Sequence, residues 1–125
     1  MGDRISIRFV DEHGDKSATL FSHWDGRDLI KVVRTYLDEL YHDDEADVIS
    51  TPIGRKEPGT VMVDFLRWLT SEKGRIHSNY YIVPNPEDGD NSDNGHYDII
   101  LSIRWYKIKK IEWKWENIYE NPKID

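Results

Sequence analysis

At 125 residues the chain is long enough for one domain with a real hydrophobic core, and its lack of Cys excludes disulfides, thiolate nucleophiles and Cys-based zinc sites. Aromatics at 12 %, with five Trp and seven Tyr, are foreign to a disordered composition, and a net charge of −7 disfavours nucleic-acid binding over the whole surface. The charge is uneven: residues 1–100 hold 11 Lys/Arg against 20 Asp/Glu, net −9, and residues 101–125 hold 6 against 4, net +2.

In chain order, Ile5, Ile7 and Phe9 alternate with Ser6 and Arg8, which predicts a half-buried strand. The turn-rich DEHGDK, with Gly14, leads into a return strand in SATLFSHW, forming a hairpin. Residues 27–41 place Leu29, Ile30, Val33, Tyr36, Leu37 and Leu40 at helical spacing, with Asp25 as N-cap and the acidic HDDEAD (42–47) as the loop that ends the helix. After an irregular Pro- and Gly-bearing stretch, a second helix spans about 59–73. Its apolar set, from Val61 and Met62 to Phe65, Leu66, Trp68 and Leu69, is broad enough for burial on more than one side. NYYIV (79–83) reads as a strand, and YDIILSIRWYKIKKIEWKW as one long strand or two, bent near Lys109-Lys110. The sum is a single α+β domain over 1–125: an antiparallel sheet in the order β-β-α-α-β-β, with a fifth strand if the last segment divides, and two helices on one face. No apolar run reaches the ~18 residues of a membrane span, and the charged, alternating start is not that of a secretory leader, so a cytoplasmic location without membrane contact is expected.

DGDNSDNGHYDI (88–99) resembles a calcium loop. With Asp90 at position one, Ser92, Asn94, Gly95 and Asp98 fall at three, five, six and nine, but position twelve is Leu101, so the bidentate carboxylate of an EF-hand is missing. The expectation is a solvated hairpin loop with Asn94-Gly95 at the turn. A weak divalent cation held by Asp88, Asp90, Asp93, His96 and Asp98 is the alternative.

LFSHWDGRDLI (20–30) joins a strand to a helix, where side chains and free amides can meet a ligand. His23 could serve as base or ligand, Trp24 could stack a flat group, and Asp25 could orient the His; each also has a structural use, Asp25 as cap and Trp24 as filler between sheet and helix. A strand pair ending in His-Trp-Asp-Gly resembles a feature of small uncharacterised prokaryotic and phage-encoded proteins. The likeness covers roughly residues 4 to 30, where an aromatic and a proline often follow in place of Arg27 and Asp28, and it implies no activity.

HEXXH, P-loop, G-x-S-x-G and dinucleotide fingerprints are absent. Were the fold to join His23 and Asp25 to His96 and Asp98, they would form a two-His, two-carboxylate centre for a divalent-metal-dependent hydrolase. RWYKIKKIEWKW (104–115) interleaves cations with rings, the pattern of a single-stranded nucleic-acid platform and equally of a lysine-guarded edge strand. The leading expectation is a small binding module without catalytic activity. It would meet a protein partner or a second copy through His23, Trp24 and Asp25 or through Arg104, Tyr106, Lys110 and Trp113.

Overall fold

The computed structural model describes residues 2–46, 56–72 and 80–112. The elements run β1 (Ile5–Asp11), β2 (Thr19–Ser22), α1 (Asp28–Ala46), α2 (Pro58–Glu72), β3 (Tyr80–Val83), β4 (His96–Leu101) and β5 (Tyr106–Ile111). Two helices and one five-stranded sheet make an α+β architecture.

The sheet has the order β3-β2-β1-β4-β5 and is mixed. Three neighbouring pairs are antiparallel, but β1 and β4 are parallel, in the register Ser6 to His96 through Asp11 to Leu101. The antiparallel sheet expected from the sequence is thus corrected at one pair, β1 with β4. The cause is the connection from β3 to β4. These strands do not pair; β2 and β1 lie between them. Residues 84–95 form a crossover, carrying only the short 3-10 turn Pro86–Asp88, and parallel strands require a link of about a dozen residues. The acidic segment is this crossover and not a hairpin loop.

Alternation assigns the faces. Ile5, Ile7, Phe9, Leu20, Ile99 and Leu101 point to the helices and join Leu29, Val33, Tyr36, Leu37 and Leu40 of α1 and Val61, Met62, Phe65, Trp68 and Leu69 of α2 in one buried cluster. Phe9, Tyr36 and Trp68 surround Phe65, with ring centroids 5.9, 5.2 and 6.1 Å from it. The broad apolar stripe of α2 is explained: it touches both β1 and α1. Between the helices the Tyr36 hydroxyl donates to Asp64 at 2.7 Å, and burial followed by that bond pushes the Tyr36 phenol above its usual range.

Two boundaries differ from expectation. The first helix continues to Ala46, through the segment read as an acidic loop, because nothing between residues 28 and 46 is Gly or Pro. The last strand breaks at residues 102–105, not at Lys109-Lys110, with the Ser102 amide donating to the Trp105 carbonyl at 2.8 Å. In β5, Tyr106, Ile108 and Ile111 are half-buried and Lys107, Lys109 and Lys110 are exposed. The second helix begins at Pro58, whose missing N–H costs nothing in a first turn; its expected end near residue 73 lies outside the described residues.

Candidate recognition surface

The second face of the sheet carries Ser6, Arg8 and Val10 of β1, Phe21 of β2, Tyr81 and Val83 of β3, His96, Asp98 and Ile100 of β4, and Lys107 and Lys109 of β5. One end of this face is covered by the crossover. Tyr81 stacks on Phe21 at 5.0 Å between centroids, and Gly89 passes so close that an added Cβ would lie 2.8 Å from the Phe21 ring. Under the crossover a polar chain runs from strand to strand. Asn91 Nδ2 donates to Ser6 Oγ at 2.9 Å, and Ser6 Oγ is 2.7 Å from His96 Nδ1. His96 Nε2 is 2.6 Å from Asp98 Oδ1, which also accepts from Arg8 Nε at 2.7 Å. With the imidazole proton on Nε2, each of these donors faces an acceptor. Burial works to raise the Asp98 carboxyl, but the hydrogen bonds and charges of His96 and Arg8 hold it below the ordinary carboxylate range.

A serine, a histidine and an aspartate in line suggest nucleophilic catalysis, but the geometry opposes it. Ser6 and His96 are both 0 % exposed and the Ser6 hydroxyl already engages Asn91, so no substrate carbonyl can reach it. The chain is a satisfied polar layer joining the parallel pair.

The expected metal residues are engaged by protein groups, Asp90 and Asp93 by the same guanidinium. Asp88 accepts from the Asn85 amide at 3.0 Å; Asp90 and Asp93 each lie 3.2 Å from the Arg4 guanidinium; His96 and Asp98 belong to the chain above. Asp90 is lowered by its bonds from Ser92. Among the described residues no group of three or more His, Cys, Asp or Glu is placed to hold a metal ion.

At the β2–α1 junction the Asp25 carboxylate accepts from the Ser22 and Tyr80 hydroxyls, tying β2 to β3, while its backbone carbonyl accepts from the Asp28 amide. The Asp25 side chain thus braces β2 against β3. Trp24 does not fill the space between sheet and helix: it is exposed, with the His23 ring against it at 4.3 Å.

The basic aromatic stretch is divided by the pleat. Tyr106, Ile108 and Lys110 lie on the helix side of β5, Lys107 and Lys109 on the second face. The Tyr106 hydroxyl donates to Asp38 at 2.6 Å, and Lys110 is 4.0 Å from Glu112. Trp113 lies outside the described residues. Lys107 and Lys109 thus lie on the opposite face of the strand from Tyr106.

What the sequence concealed is the turn at residues 102–105. Ile103 is 72 % and Trp105 49 % exposed, on either side of exposed Arg104. The turn is fixed at several points. The Tyr41 hydroxyl donates to the Ser102 carbonyl at 2.8 Å, Lys56 Nζ to the Ile103 carbonyl at 3.3 Å, and the Ser102 hydroxyl to Glu12 at 2.9 Å. Lys56 also sits 4.8 Å above the Tyr41 ring, and burial followed by the charge of Arg104 lowers its ammonium. Ile103 and Trp105 continue the alternation of β4, so the sequence reads them as buried strand residues.

Comparison with protein-family models, with curated proteins and with solved structures gave no match. Among the described residues no helix is long and apolar enough to cross a membrane.

Proposed function

We propose that the protein is a small binding module without catalytic activity, and that it engages a protein partner through the turn at residues 102–105. The observation that carries this reading is the pairing of exposure with fixation. A large aliphatic and an indole flank a guanidinium in water, on a turn pinned by α1, Lys56 and Glu12. A fixed backbone loses little conformational freedom on binding, and Trp and Arg are the residue types on which interface energy concentrates. The buried Ser6–His96–Asp98 chain supports the non-catalytic half of the reading, since its hydroxyl is sealed from any substrate.

The test compares partner capture by the wild type, by a Trp105→Ala/Ile103→Ser double variant, and by a control with Val63→Ser on the exposed side of α2. The expected outcome is a specific set of partners kept by the control and lost by the turn variant at unchanged melting temperature. Equal capture by all three would refute the role of the turn.

A further inference from the structure

The same surface points to the chemistry of the partner, and this inference rests on the reading of the turn as the contact. β5 leaves that turn with Lys107 and Lys109 at alternate positions on the second face, opposite Ile100 and Asp98. Both lysines are exposed, and among the described residues neither they nor Arg104 lies within ion-pair distance of a carboxylate. The nearest carboxylate in register, Asp98, is already engaged by His96 and Arg8. Next to the lysines lies a half-buried apolar floor of Val10 and Ile100, on the half of the face that the crossover leaves open. A chain of net charge −7 therefore gathers three cations along one short path, from Arg104 to Lys109, beside apolar side chains.

We propose that the partner segment is acidic and extended, and that it runs from the turn along β5 over the open half of the second face, its carboxylates meeting Arg104, Lys107 and Lys109. Alternate residues of a strand are about 6.6–7 Å apart, so carboxylates at every second position of an extended segment match the two lysines. A second copy of β5 is a poor occupant, because it would set lysine against lysine. Single-stranded nucleic acid is a poor one too: Tyr106 is turned to Asp38, which leaves Trp105 as the exposed ring of the described part of this path.

The test is selection of a random-peptide display library on the full chain. Affinities of the enriched peptides are then measured for the wild type, for Lys107→Glu/Lys109→Glu and for Trp105→Ala/Ile103→Ser, with each variant's melting temperature as a folding control. The inference predicts peptides with Asp or Glu at alternate positions beside an apolar residue, binding weakened about tenfold or more by the lysine reversal, and enrichment of Lys- and Arg-bearing peptides on the reversed chain. Neutral peptides that lose affinity only in the turn variant would overturn the acidic partner and leave the turn reading standing. Peptides indifferent to the turn variant, or no enrichment, would overturn both. Tighter binding of oligothymidylate than of any enriched peptide, or a wild-type dimer that the lysine reversal dissolves, would replace the inference by nucleic acid or self-association.

Discussion

Asp98 is the residue on which most of the second face depends, because its carboxylate joins the buried His96 to Arg8. Its native-state value is depressed, so the stability it contributes is present above its unfolded value of about 3.9 and is lost as pH falls through the native one. Asp98→Asn should therefore cost roughly 2–3 kcal/mol near neutral pH, from a weakened acceptor beside a half-buried guanidinium. The gap in melting temperature between variant and wild type should narrow below about pH 4. Thermal unfolding of both proteins across that range checks the sign; a gap that widens in acid would contradict it. A second residue-scale expectation concerns Gly26, whose φ of 55° lies in the left-handed region and whose missing Cβ leaves room for the Asp3 carboxylate. Gly26→Ala should lower stability by ~1 kcal/mol from the backbone alone, and by more once Asp3 is displaced, as denaturant unfolding would record. At this scale the sequence is only partly informative. Gly14, Gly26 and Gly95 are legible as turn positions and all have positive φ. The partnership of Ser6 with His96 is not legible, because residues ninety apart meet only through a parallel pairing that no local pattern encodes.

Among the elements, the crossover and β5 carry the consequences. The crossover is held to the sheet by Asn91 on Ser6 and by the fit of Gly89 against Phe21 and Tyr81. Gly89→Ala would put a methyl 2.7 Å from the Tyr81 hydroxyl. It should destabilise by about 1–3 kcal/mol, as overpacking does, and raise amide exchange over residues 86–95 ahead of the rest of the chain. Uniform exchange instead would mean that the crossover does not open by itself. In β5 the lysines keep an otherwise apolar edge strand from pairing with its like. Lys107→Val/Lys109→Val should leave melting little changed and promote concentration-dependent aggregation, measurable by light scattering. The helices and the strand pair β1–β2 are readable because their spacing is regular, whereas the end of the first helix is not, since the segment expected to stop it holds neither Gly nor Pro. The turn at 102–105 escapes because Ser-Ile-Arg-Trp holds neither Gly nor Pro and keeps the alternation of the strand before it.

For the molecule as a whole, the sequence conveys the layer class and the helix-facing core, since those follow from periodicity. It does not convey strand order, which is set by where a twelve-residue link crosses the sheet. Strand order in turn places the surfaces: setting β4 beside β1 buries His96 and Ser6, and leaves β5 with its preceding turn at the far edge. An acidic body with a local cationic path should bind its partner more weakly as salt rises, because exposed charge pairs are screened with a Debye length of roughly 10 Å at 0.1 M salt. The most direct measurement of the central claim is NMR chemical-shift mapping of the full chain on addition of a selected acidic peptide. The account predicts perturbations at the amides of Ile103 and Arg104, at the Trp105 indole, and at Lys107 and Lys109, fading at high salt. Perturbations centred instead on His23 and Trp24, or spread without relation to residues 102–109, would contradict it.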